Sequence, residues 1–98
     1  MSTKPKMIVG SNNVFRDLGF PEAEAQNLLL RADLMIAIER RLRKAGLSQS
    51  DAAMQLGITQ PRLSDLVRHR IERFSLDALV NIAAKAGLNV RLSVKRVA

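Results

Sequence analysis

Residues 49–68 read QSDAAMQLGITQPRLSDLVR, and this stretch decides how the chain folds. Ala53 is small enough for two helices to approach closely, and Gly57 follows the first helix where the chain must reverse. Leu63 and Leu66 then anchor a second helix. The pattern therefore predicts two short helices that cross steeply through a tight turn, which is the helix-turn-helix arrangement used for reading DNA.

The residues around this stretch predict where its two helices begin and end. Ser48 is a favourable N-cap for the first helix, which Gly57 ends. The second helix is expected to start at Thr59 or Gln60, with Pro61 in its first turn. Inward-facing leucines leave an outward face that would enter a major groove; it comprises Thr59, Gln60, Arg62, Ser64, Asp65 and Arg68.

Length and composition limit the alternatives. A chain of 98 residues is expected to carry one core, and 47% hydrophobic with only 3% aromatic residues predicts an aliphatic, helix-rich interior. The absence of cysteine excludes disulfides and thiolate metal sites, and one histidine excludes a histidine cluster. Without a nucleophile-base pair or a glycine-rich phosphate loop, we predict no enzyme, no metal and no cofactor.

Charge is distributed unevenly along the chain. Residues 1–39 hold four basic and five acidic groups, a net charge of −1, whereas residues 40–98 hold twelve basic and four acidic groups, a net charge of +8. A basic half that coincides with the motif indicates double-stranded DNA as partner, although a solvated surface is the plainer alternative. Neither an export signal nor a membrane span is seen, so a cytoplasmic protein is expected.

The remaining segments complete a predicted three-part organisation. Residues 1–20 form an arm and a short helical turn, residues 21–88 the helix-turn-helix domain, and residues 89–98 a β-strand. The strand follows from the alternation of Val90, Leu92 and Val94 with polar residues. Its partner would be either its symmetry mate in a homodimer or Met7–Val9. The expected fold is mainly α, a compact bundle of about five helices with one C-terminal β-strand.

Four segments carry a resemblance to a known family: LSQSDAAMQLGITQPRLSDLVR (47–68), NVFRDLGFPEAE (13–24), RFSLDALVNIA (73–83) and NVRLSV (89–94). With them the chain resembles the Xre-type helix-turn-helix proteins, and more closely the HigA-type antitoxins. That resemblance implies a homodimeric repressor of its own operon, with a palindromic operator and a RelE/ParE-like ribonuclease toxin as partner. The alternatives are a stand-alone or phage-type Xre regulator, and an interaction module whose main task is to sequester a toxin.

The predicted DNA-contacting residues form two groups. The base-reading candidates are Thr59, Gln60, Arg62, Ser64 and Asp65, and the phosphate-binding candidates are Arg43, Lys44, Gln49, Arg68, Arg70 and Arg73. The resemblance implies that Gln49 holds a phosphate and that Gln60 is the principal base reader, because glutamine can bond adenine N6 and N7 together. Arg62 is expected to bind either guanine or phosphate, and Asp65 to orient an arginine or to accept from a cytosine amine. The cations at 43 and 44 would also suit a helix C-terminus.

Overall fold

The computed structural model describes residues 13–96, and every regular element within this range is a helix. In chain order its elements are α1 (Val14–Asp17), α2 (Glu22–Ala45), α3 (Gln49–Leu56), α4 (Gln60–Val67), a 3₁₀ turn (Ile71–Arg73) and α5 (Leu76–Lys85). The mainly helical architecture is therefore as predicted. Residues 49–68 form the two helices α3 and α4 with a three-residue connection between them, as the sequence pattern indicated.

Capping residues set the helix boundaries. The side-chain oxygens of Ser48, Thr59 and Ser75 each accept a hydrogen bond from the backbone N–H three residues later, at 3.1–3.2 Å. Each such cap contributes about 1 kcal/mol to stability. Gly46 and Gly57 end α2 and α3 with φ of 68° and 70°, in the left-handed region that glycine adopts without steric cost.

α2 is the helix against which α1, α4, the 3₁₀ turn and α5 pack. It is 24 residues long, and Met35, Ile38 and Leu42 are buried on one side of it, in a core to which α3, α4 and α5 also contribute. Its remaining surface carries many charged residues, and no helix among residues 13–96 is long and apolar enough to cross a membrane. The core is completed by side chains from the other elements, namely Ala52, Ala53, Leu56, Leu63, Leu66, Phe74, Leu79, Ile82, Ala83 and Ala86.

α1 is attached to the start of α2 by polar contacts. Asn13 is buried, caps α1, and donates a hydrogen bond from Nδ2 to the carbonyl oxygen of Ala25 at 3.0 Å. Arg16 forms a two-pronged ion pair with Glu22, at 2.7 and 2.8 Å. Hydrogen bonds from Arg16 and then from Gln26 lower the pKa of the Glu22 carboxyl to about 2. These contacts hold α1 in place where apolar packing is sparse.

The predicted C-terminal β-strand is wrong. Residues 88–96 adopt no regular secondary structure. Within the described chain their backbone makes one hydrogen bond, from the N–H of Leu88 to the carbonyl oxygen of Ala83. Val90, Leu92 and Val94, expected to line a dimer strand, are 40%, 78% and 82% exposed. Alternating side chains do not make a strand unless its backbone is paired with another edge. The other expected partner, Met7–Val9, lies outside the described residues.

Candidate nucleic-acid interface

Two buried leucines fix the orientation of α4. Leu63 and Leu66 are 2% and 0% exposed, and they anchor one side of the helix in the core. Thr59 caps the N-terminus by accepting from the N–H of Arg62 at 3.2 Å. Its hydroxyl oxygen is thus engaged as an acceptor, although the hydroxyl can still donate. The polar side chains on the other sides of α4 form two rows.

One row, which we call the open ridge, comprises Gln60, Ser64 and Arg68. These residues follow one another at four-residue spacing and therefore lie on the same side of the helix. Within residues 13–96 none of the three side chains has a hydrogen bond or an ion pair, while Gln60 and Arg68 are exposed and Ser64 is half-buried. Donors and acceptors of this kind, held on a rigid helix, are suited to base edges and phosphates.

The second row, the tied ridge, comprises Arg62 and Asp65, and its side chains are used within the protein. The Arg62 guanidinium lies 4.3 Å from the centre of the Phe74 ring, and its Nη1 donates to the carbonyl oxygen of Arg73 at 3.3 Å. Asp65 accepts from Arg73 Nη1 at 3.2 Å, so it is paired with a neighbouring arginine in one of the two roles expected of it. Base reading by Arg62 stays a prediction, and it would require these internal contacts to be given up.

The segment that follows α4 carries cations on either side of a fixed residue. Arg68 and Arg70 are exposed, and their side chains have no partner among the described residues. Between them, His69 Nε2 lies 2.8 Å from Glu39 Oε1. Arg73, also predicted to bind phosphate, is half-exposed and already paired with Asp65. The structure therefore leaves Arg68 and Arg70 as the more available phosphate ligands of this segment.

A long arginine of α2 supports the same segment and was not anticipated from the sequence. Arg31 Nη1 donates to the carbonyl oxygens of Ile71 and Phe74, both at 3.1 Å, and its Nε donates to Asn27 at 2.7 Å. These contacts satisfy two backbone acceptors in the connection between α4 and α5. Arg31 and its partners are 40 and 43 residues apart in sequence, so no local pattern could have indicated the contact.

The remaining phosphate candidates lie around the turn between α2 and α3. Gln49 is the first residue of α3 and is exposed, as is Lys44 in the last turn of α2. Arg43 is paired with Glu39 at 2.6 Å but is 73% exposed, so it remains accessible to a phosphate. The short turn at Gly46 brings this end of α2 next to the N-terminus of α3, where backbone N–H groups favour anions.

Comparison with known proteins agrees with this geometry. The family model described as a helix-turn-helix domain matches residues 14–95. A solved structure described as a candidate XRE family transcriptional regulator is 30% identical, covers 79% of this chain and 84% of its own, and superimposes with a TM-score of 0.69. A search of curated proteins found no match. Because the family match spans nearly the whole described chain, the protein belongs to the helix-turn-helix family and is a DNA-binding protein of the XRE regulator type.

Proposed function

We propose that this protein is a sequence-specific transcriptional repressor that binds a palindromic operator as a homodimer. The observation that carries this proposal is the open ridge, which presents Gln60, Ser64 and Arg68 without internal partners in the described residues while the rest of α4 is anchored. The basic half of the chain, with a net charge of +8, supplies the attraction to the phosphate backbone. A location in the cytoplasm is part of the same proposal.

Dimerisation is supported by an apolar cleft that involves neither α3 nor α4. The cleft has a volume of about 620 Å³ and lies between α2, α5 and the segment that follows α5. Leu30, Val80 and Leu92 remain 42%, 37% and 78% exposed beside it. Asp77 and Arg91 also line the cleft, and a two-fold arrangement that set Asp77 of one copy opposite Arg91 of the other would pair opposite charges twice. A partner placed here leaves the open ridges of both copies free for two half-sites.

The test compares binding to a duplex from the protein's own promoter with binding to a scrambled duplex of the same length. We expect preference for the promoter, two chains per duplex, and an affinity that falls steeply with salt. Arg70→Ala should lower the affinity for both duplexes by the same factor, because a phosphate contact carries no sequence information. Val80→Asp should yield monomers that keep the helical fold. Equal affinity for the two duplexes would contradict sequence-specific repression.

A role as antitoxin is the finer proposal, and it is motivated by the acidic N-terminal half and by the segments outside the motif that resemble HigA-type proteins. With a net charge of −1, residues 1–39 lack the positive excess that attracts DNA, and they would not repel a basic ribonuclease toxin. The alternatives are a regulator without a toxin and a module that mainly sequesters one. Co-expression with the product of the adjacent gene, with and without residues 1–20, separates them, since a regulator alone forms no stable complex.

A further inference from the structure

His69 adopts an unusual backbone conformation between the two exposed arginines. Its φ is 58°, and it is the one non-glycine residue with a positive φ among residues 13–96. A non-glycine residue adopts the left-handed region only at a steric cost. Glycine occupies the other four positive-φ positions of the described chain, where it adopts this conformation freely. His69 is therefore the one position of the described chain where glycine does not account for this conformation.

The ring of His69 is bound by a carboxylate of α2. Nε2 lies 2.8 Å from Glu39 Oε1, and because a carboxylate only accepts, Nε2 is the donor. The other oxygen of Glu39 accepts from Arg43 Nη2 at 2.6 Å, so both oxygens are held in place. Ile38, the neighbour of Glu39 in α2, is fully buried. Glu39 is thus a fixed point on a rigid helix, and it is 22% exposed.

Backbone hydrogen bonds define the path on either side of His69 but do not fix how the arginines point. The N–H groups of Arg68, His69 and Arg70 donate to carbonyl oxygens in the last turn of α4, each at 3.0 Å. The bridge from His69 to Glu39 is the side-chain contact that ties this short segment to α2. It holds this segment against α2, and Arg68 and Arg70 extend from the two sides of the residue that is held.

We propose that Glu39 is a positioning residue for DNA binding: through His69 it holds the exit of α4 so that Arg68 and Arg70 contact phosphates together. Glu39 itself does not touch the DNA. The proposal rests on the proposed function, since it assumes that this surface meets a duplex. It also explains an acidic side chain beside a surface built for a polyanion, where a carboxylate would otherwise repel phosphate.

The sign of the expected effect separates positioning from simple electrostatics. Removing a carboxylate next to a DNA-binding surface raises the local positive charge, and Glu39→Ala also releases Arg43 from its ion pair. Both changes should strengthen binding. If Glu39 instead orients Arg68 and Arg70, Glu39→Ala weakens binding and makes it less sensitive to salt, because fewer counterions are released when fewer phosphates are contacted.

The experiment measures the affinity of the full chain for a random-sequence duplex of about 20 base pairs, from about 50 to about 200 mM salt. We expect Glu39→Ala to reduce the slope of log affinity against log salt by about 1 to 2. Glu39→Gln should keep the slope of the unaltered protein, because its amide oxygen still accepts from His69. Circular dichroism of each variant checks that the helices are intact.

Two further variants serve as controls. Glu72→Ala removes an exposed carboxylate of the adjacent 3₁₀ turn, whose Oε2 lies 4.0 Å from Arg73 Nε, too far for a hydrogen bond. This variant should leave the slope unchanged and the affinity equal or higher. In a chain that carries both Arg68→Ala and Arg70→Ala, adding Glu39→Ala should have no further effect on the slope.

Two results would overturn the proposal: an unaltered slope for Glu39→Ala, or a Glu39→Gln chain as impaired as the alanine variant. A merely stabilising role would lower the melting temperature of Glu39→Ala without moving its slope. If the unaltered protein shows no salt-dependent binding, the proposed function itself fails, and that outcome is distinguishable from failure of Glu39→Ala alone.

Discussion

The open and tied ridges lie on one eight-residue helix and its C-cap residue, Arg68, and yet differ in what their side chains do. Gln60, Ser64 and Arg68 have no internal partner among residues 13–96, whereas Arg62 and Asp65 hold the segment that follows the helix. Exposure alone would not separate them, because Ser64 is half-buried like Arg62 and Asp65. The contrast shows that polar residues of one short helix can shape the loop beside it or stay available to a ligand.

Replacing the first residue of the open ridge should have the largest effect on sequence preference. We expect Gln60→Ala to lose about 1–3 kcal/mol of discrimination between the operator and a duplex altered at the contacted base. Its stability should change little, since the side chain of Gln60 makes no hydrogen bond within the described part of the chain. Competition binding with single-base variants of the operator measures the first quantity, and urea denaturation the second. Unchanged sequence preference would remove Gln60 from the base readers.

Replacing the first residue of the tied ridge should show the opposite pattern. Arg62→Ala loses the contact with the Phe74 ring and the hydrogen bond to Arg73, which together should lower the free energy of unfolding by about 1–2 kcal/mol. Arg62→Lys keeps the charge but not the planar group that covers the ring, so it should recover only part of this stability. Urea denaturation of the three proteins tests the expectation. If Arg62→Lys kept full stability but lost much of its sequence preference, Arg62 would be a base-reading residue rather than an internal contact.

A salt bridge distant from α4 provides the smallest effect and a baseline for both ridges. Arg16 and Gln26 lower the pKa of Glu22 to about 2, below its value of 4.5 in the unfolded chain. Because the folded pKa is depressed, this stabilisation is fully present above about pH 4.5 and is lost as the pH falls toward 2. Melting temperatures of the unaltered protein and Glu22→Gln should therefore differ slightly at pH 6 and converge near pH 2. DNA affinity should not differ.

The parts of the fold that could be predicted depend on neighbouring residues. Ser48 and Thr59 cap helices, and Gly57 ends one, because each acts on backbone groups within a few residues. The pairing of Asp65 with an arginine was also anticipated, since its partner Arg73 is only eight residues away. Local pattern, however, does not indicate whether a backbone has a partner, and the alternation at Val90, Leu92 and Val94 was therefore misread as a strand.

The contacts that could not be predicted are those between distant segments. No local pattern in the sequence gives His69 a partner, and only the packing of α2 against the segment that follows α4 shows that Glu39 binds it over a separation of 30 residues. Arg31 similarly appears in the sequence as one charge on a helix in the acidic half. Its role depends on which way that helix is turned, and this is set by the whole core rather than by any motif.

Arg31 and Glu39, the two residues of α2 that bind the α4–α5 connection, are eight residues apart on one uninterrupted helix. At 1.5 Å per residue this is a distance of about 12 Å. The rise of α2 between these two residues therefore sets the distance between its two contacts with that connection. One residue inserted between Arg31 and Glu39 would rotate one side chain relative to the other by about 100° around the helix axis. The two contacts could then not be made at the same time. The same insertion within residues 89–96 would disturb neither. The spacing within α2 is thus matched to a loop whose contacting residues lie 30 to 43 residues further along the chain.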